Sequence, residues 1–284
     1  MIDLLLEPFA YSYMINAIWV CALVGGVCAF LSSYLMLKGW SLMGDALAHS
    51  IVPGVALAYL LALPYAIGAF FAGILASLSM ALVKHQTKLR EDTVIGLVFT
   101  TFFAIGLLMV SINPTAINIQ AIILGNILAI SGADIIQIVI ISSICLSLLL
   151  LTWKDLVAVF FDENHARSIG LPVNALKIMF FTLLSASTVA ALQTVGACLV
   201  IAIVVTPGAT AYLLTDRFGK LIIISTALGT TTSALGAYAS YFLDANPGGI
   251  IVALQTALFL LAFACAPKYG LISRKRQTAQ EVSA

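Results

Sequence analysis

Apolar residues gather along this chain in runs close to twenty residues long, separated by short polar breaks. A helix needs about 20 apolar residues, within a range of about 17 to 25, to cross the hydrocarbon core of a bilayer. Nine such runs are predicted, at roughly 14–37, 46–63, 65–83, 93–112, 134–152, 176–195, 197–214, 220–243 and 249–267. The second and seventh are short and carry Pro53 and Pro207. The stretch 113–133 holds no charge, but Asn113, Pro114, Asn118 and Asn126 make it a poor lipid-facing span; it reads as an outer loop with a helical piece. The expected fold is all-α, a polytopic transmembrane helical bundle of about 8–9 spans with short or broken helices. One transmembrane domain is expected over residues 1–272, followed by a polar tail over 273–284.

Composition supports that class. Of the 284 residues, 62% are hydrophobic and only 9% charged, against about 25% charged in soluble domains. So few charges cannot cover a soluble surface, and lipid must serve as solvent. No basic cluster interleaved with aromatics points to nucleic acid. The opening MIDLLLEPFAYSYM has no Lys or Arg, so no cleaved secretory signal is expected. Cys21, Cys28, Cys145, Cys198 and Cys265 all fall in apolar runs without C-x-x-C spacing. They read as buried free thiols that pack as small hydrophobes.

Charge then orients the bundle. Lys38, Lys84, Lys88, Arg90, Lys154, Arg167, Lys177, Arg217, Lys220, Lys268, Arg274, Lys275 and Arg276 make up all 13 basic residues. With the N-terminus outside and nine crossings, every one lies on the cytoplasmic side, as the positive-inside rule requires. Trp40 and Trp153 then mark the inner interface, and Tyr11 and Tyr13 the outer one.

Two interior patterns stand out. Pro53 and Pro207 lie in HSIVPGVALAYLL and VVTPGATAYLL, both running from Pro-Gly to Ala-Tyr-Leu-Leu. Paired Pro/Gly-interrupted segments in two halves point to a transporter's binding site, although apolar sequence can match by chance. Gly229, Ser233, Gly236 and Ser240 recur every three or four residues. That small-residue face suits close helix packing within the subunit or a dimer contact.

The candidate chemistry centres on SLMGDALAHS, residues 41–50. Asp45 opens the second apolar run and His49 follows four residues later, on the same helical face, with Cβ atoms about 6 Å apart. An ionisable residue at membrane depth is costly and is usually paired or functional. Carboxylate and imidazole together suit a divalent first-row cation such as Mn, Fe or Zn. Two ligands are too few for a tight site, but a two-fold dimer would bring four. The competing readings are an Asp–His hydrogen bond that locks two helices, and Asp45 as a first-turn charge on the helix dipole. His85 and His165 lie in polar loops and read as solvated.

FFDENHARSIGLPV, residues 160–173, is the largest polar insertion on the cytoplasmic side. Asp162, Glu163 and Arg167 ahead of Gly170 and Pro172 predict a short helix with a stop. Such a helix fits a groove of a soluble partner, or serves as a solvated connector. The sequence has no phosphate loop, no G-x-S-x-G and no H-E-x-x-H, and no nucleophile–base pair at a recognisable spacing.

Three stretches, MLKGWSLMGDALAHSIVPGVALAYLL, FFDENHARSIGLP and LQTVGACLVIAIVVTPGATAYLLTDRF, closely resemble the permeases of bacterial manganese/zinc/iron ABC importers, nearest to the chelated iron/manganese permeases. The likeness runs over about residues 5–271. It implies a translocation subunit of the inner membrane, not an enzyme, without a permanently bound cofactor. It further implies a second permease subunit in a homodimer or heterodimer, two cytoplasmic ATP-binding subunits, and an extracytoplasmic metal-binding protein. By resemblance, Asp45 and His49 are the intramembrane ligands for the transported divalent metal. Asp162 or Glu163, with Ala166, Arg167 and Gly170, would form the loop that couples to the ATPase. The acid does not stand immediately before Ala-Ala as in the general importer motif, which leaves the contacting acid open. Ligation needs an ionised Asp and a neutral His, so acid should weaken the site. The rival readings are an ion-coupled transporter that works without an ATPase and uses the pair as a proton relay, and an intramembrane enzyme, for which no further fixed ligands are found.

Overall fold

The computed structural model describes residues 6–40, 42–112, 127 and 131–266. All the regular structure among them is helical. A short 3-10 turn, Glu7–Ala10, leads into α1, Ser12–Lys38. Then follow α2 (Met43–Ser50), α3 (Val52–Leu60), α4 (Tyr65–Gln86), α5 (Glu91–Ile112) and α6 (Gly132–Phe161). The remainder is α7 (Glu163–Ser168), α8 (Val173–Val195), α9 (Ala197–Leu214), α10 (Phe218–Leu243) and α11 (Pro247–Cys265).

Among the described residues, eight segments are long and apolar enough to cross a membrane, with α2 and α3 counted together as Met43–Leu60. The seventh predicted run, in α9, falls short as an apolar helix at Leu199–Leu214. Gly196 stops α8 with φ 86° and ψ 161°, and α9 restarts at once. At 1.5 Å per residue, the 18 residues of α9 still span about 27 Å.

The fifth run is longer than expected. α6 continues past Trp153, Lys154 and Asp155 to Phe161, because a charged turn beyond the bilayer meets water and has no reason to unwind. The polar tail expected at 273–284, with Arg274 to Arg276, lies outside the described residues, as does most of the 113–133 stretch.

α1 is the central strut, with buried side chains on nearly every turn. Against it lies α10, and the small-residue face of α10 forms the seam. A Cβ on Gly25 would run into the backbone of Gly229 and the side chain of Ser233, and one on Gly229 would run into Ala29. Ser225 donates to the Ala29 carbonyl at 2.6 Å. Gly236 completes the face against Ile251 of α11. The stripe therefore packs within the subunit. Lipid gives apolar helices no hydrophobic drive to associate, so such backbone approach is what holds them together.

At one end of the bundle an aromatic cluster gathers around Tyr34, which is fully buried. Its hydroxyl donates to the Trp153 carbonyl at 3.0 Å, and Phe160, Phe180 and Phe218 surround its ring at 5.7, 5.8 and 5.2 Å. Trp40 is not an exposed belt residue. It packs on Phe160 and Phe181, and its Nε1 donates to Glu91. Tyr11 and Tyr13 are exposed as expected. Cys21, Cys28 and Cys145 are buried free thiols, whereas Cys265 is exposed at the end of α11, a helix with an outward apolar face.

Candidate metal pathway and coupling helix

The second apolar run is split at Ile51, between α2 and α3. Pro53 is the cause. It has no N–H for the His49 carbonyl, and its ring crowds that carbonyl. The Ile51 N–H turns to it instead. The break thus falls directly after His49.

Asp45 and His49 share one face of this eight-residue helix of about two turns. Asp45 Oδ1 stands 3.4 Å from His49 Nε2, and the two side chains keep 32% and 26% of their surface exposed. That separation exceeds an ordinary N–H···O bond of about 2.7–3.2 Å. Both residues belong to α2, so the pair does not lock two helices. α2 has no side-chain cap hydrogen bond, but Asp45 does stand in its first turn, where a negative charge suits the helix dipole. The exposure leaves both donors on a surface that the described residues do not close.

α5 runs alongside. Phe99 and Phe103, one turn apart, flank the His49 ring at 5.6 and 5.5 Å between centroids. These two were not singled out from the sequence, although their i, i+4 spacing was visible there. Among the described residues no group of three or more His, Cys, Asp or Glu side chains could hold a metal ion. Among the described residues, one chain brings two strong donors to this point.

The predicted short helix in 160–173 is α7. Asp162 is its N-cap, accepting from Asn164 N at 2.9 Å and His165 N at 3.1 Å. The helix ends in a Schellman arrangement: Leu171 N bonds Ala166 O at 3.0 Å and Gly170 N bonds Arg167 O at 3.1 Å. Gly170 takes φ +84°, the left-handed conformation this ending requires. Ala166 is buried beneath the helix and Arg167 is exposed. Glu163 sits 2.6 Å from Lys177 and 3.5 Å from Lys38. Partial burial works against its ionisation, but the hydrogen bond and charge of Lys177, with Lys38 behind them, hold the carboxyl below the usual glutamate range. The two acids that the sequence left equivalent thus differ. Asp162 shapes the helix, and Glu163 ties it to α1 and α8.

The family model described as the ABC 3 transport family matches residues 10–266. The chain belongs to that family. It is 66% identical over 278 residues to the chelated iron transport system membrane protein YfeC of Yersinia pestis, covering 98% of this chain and 95% of the relative. It is 50% identical over 274 residues to the manganese transport system membrane protein MntB of Synechocystis, covering 95% of this chain and 89% of the relative. Among solved structures, PsaBC from Streptococcus pneumoniae in complex with Fab superposes with a TM-score of 0.85 at 33% identity, covering 97% of this chain and all of that one. This member of the ABC 3 transport family is therefore a multi-pass permease subunit of an ABC transporter. Its exposed apolar side chains on α5, α6 and α11 face lipid or partner chains.

Proposed function

We propose that this permease carries a divalent transition metal into the cytoplasm, with manganese or iron as cargo, and that Asp45 and His49 are transient ligands on the path. The observation that carries this is the 3.4 Å separation of Oδ1 and Nε2 on a half-exposed face. Ligand atoms about 2.1 Å from one tetrahedral ion lie about 3.4 Å from each other. The cargoes named for the relatives, chelated iron and manganese, fit a mixed oxygen–nitrogen donor set. Zinc accepts the same donors and is the third candidate.

With two donors per chain, the site is completed by a second permease subunit, whose own pair would face this one across a shared pathway. Incomplete coordination suits transit, since a cation must leave as readily as it arrives. The Asp45 carboxylate offsets the dication's charge, and neutral His49 supplies nitrogen. The Phe99 and Phe103 rings hold the imidazole plane and exclude water from one side. The metal arrives from an extracytoplasmic binding protein. The N-terminus lies outside and the C-terminus inside, which places α7 on the cytoplasmic face, where ATP-binding subunits dock. ATP binding there draws the α7 helices together and opens the path outward; hydrolysis reverses it. The subunit itself performs no catalysis and keeps no resident cofactor.

Uptake of competing manganese, iron and zinc, measured in cells with and without the partner ATPase, tests the reading. Uptake that requires the ATPase is expected. Uptake that persists without it would support the ion-coupled alternative, with Asp45 and His49 as a proton relay.

A further inference from the structure

A cavity of about 560 Å³ opens beside α7, between α4, α5 and α8. That size falls within the usual range of small-molecule sites, about 300–1,000 Å³. Its walls are graded. On α4 the lining runs from Lys84 at the helix end inward to Leu82 and Leu78; on α8 it runs from Lys177 to Ile178. On α5 it runs from Glu91 to Val94 and Ile95. All three helices place their charges at the same end, where α7 contributes Glu163 and Arg167. Leu78, Leu82 and Ile178 are exposed, so the apolar half opens sideways and not into the core.

The charges are unevenly matched. Glu91 receives Trp40 Nε1 and stands 3.8 Å from Lys84, and Glu163 is engaged by Lys177 and Lys38. Arg167 has no carboxylate partner among the described residues. A polar rim with one surplus guanidinium, above an apolar wall open to the bilayer, complements an anionic amphiphile. Basic pockets between membrane helices at the inner face bind phospholipid head groups in this way, and guanidinium grips phosphate with paired hydrogen bonds.

We propose that this cavity holds one anionic glycerophospholipid of the inner leaflet, with its phosphate on Arg167 and Lys84 and an acyl chain along Leu78, Leu82 and Ile178. A lipid seated there bridges α7 to α4 and α5, and so makes the seating of the coupling helix depend on the surrounding membrane. The proposal rests on the chain's place in a bilayer and on the orientation proposed above, and not on its cargo.

The assembled transporter in mild detergent can be titrated with dioleoyl phosphatidylglycerol, dioleoyl phosphatidylcholine or glycerol phosphate, with bound lipid counted by native mass spectrometry. One phosphatidylglycerol per permease is expected, in preference to phosphatidylcholine. Arg167→Gln should weaken it about tenfold or more, the loss expected for one charge-assisted hydrogen bond. Ala81→Trp, at an exposed lining position, adds an indole to the apolar wall where the acyl chain would lie, leaves every charge in place, and should sharply reduce the bound lipid. If Arg167→Gln disturbs docking of the ATPase, Ala81→Trp and the lipid comparison still decide. Equal binding of the two lipids, undiminished lipid in Ala81→Trp, or displacement by equimolar glycerol phosphate would each overturn the proposal.

Discussion

The two proline segments begin from nearly the same sequence and end as different structures. In VVTPGATAYLL, Pro207 stays inside an unbroken helix, α9. In HSIVPGVALAYLL, Pro53 splits the run into α2 and α3. The difference lies in the neighbours. Beside Pro207 the Ser32 hydroxyl of α1 enters the helix. It accepts from Gly208 N at 3.0 Å and donates to Val205 O at 3.1 Å. Gly208 makes the approach possible, since a Cβ there would sit 2.7 Å from the Ser32 carbonyl oxygen. Near Pro53 no hydroxyl performs this service, and the buried Ser50 hydroxyl has no partner among the described residues. The carbonyl that Pro207 leaves without its i+4 donor is that of Ile203; the Ser32 bonds hold the backbone on either side of it, and membrane helices keep prolines where neighbouring side chains support the backbone around them. Where none does, the helix breaks, and here the break lies beside the candidate ligands.

Mending the break should have the largest effect. Pro53→Ala returns an N–H to the His49 carbonyl and removes a residue that costs a helix interior about 3 kcal/mol. The variant should assemble at least as well as the parent. Metal uptake should fall roughly ten- to a hundredfold, the scale on which an ångström of misplacement acts at a reacting centre. Normal uptake would mean that the break has no role in placing the pair.

Removing the repair should act on stability first. Ser32→Ala removes two hydrogen bonds that tie α9 to α1, at a cost of about 0.5–1.5 kcal/mol each. The thermal midpoint of the purified permease should drop, and uptake per folded molecule should hold. An unchanged midpoint would show that α9 carries Pro207 unaided.

The smallest effect concerns the far end of the same α1 helix, where Lys38 meets Glu163. The folded carboxyl titrates lower than in the unfolded chain. Its contribution is therefore complete above the ordinary glutamate range near 4.3 and is lost as pH falls through the lowered folded value. A partly exposed ion pair is worth about 1 kcal/mol or less. Glu163→Gln should lower stability by no more than that near neutrality and flatten the acid limb of the stability–pH curve, so that the two curves converge at low pH.

Local spacing made much of the site legible. Asp45 and His49 were visible as an i, i+4 pair, and Asp162 and Gly170 as the two ends of a short helix, because caps and helical faces involve neighbours in sequence. The small-residue stripe of α10 was equally visible, but its counterpart at Gly25 was not. The Ser32–Gly208 contact joins residues 176 positions apart, and no local pattern announces it. The same holds for the two lysines on Glu163. The continuation of α6 past Trp153 was missed because Lys154 and Asp155 look like a boundary when only hydrophobicity is counted.

The central claim is that Asp45 and His49 are ligands and not a structural pair. Asp45→Asn tests it most directly, because the change keeps shape and one oxygen acceptor but removes the anion that offsets a dication. Uptake of radioactive manganese and iron should be measured in cells, alongside the yield of assembled complex recovered with its ATPase. The account predicts full assembly and loss of most transport. A well-assembled Asp45→Asn transporter with parental uptake of both metals would contradict it.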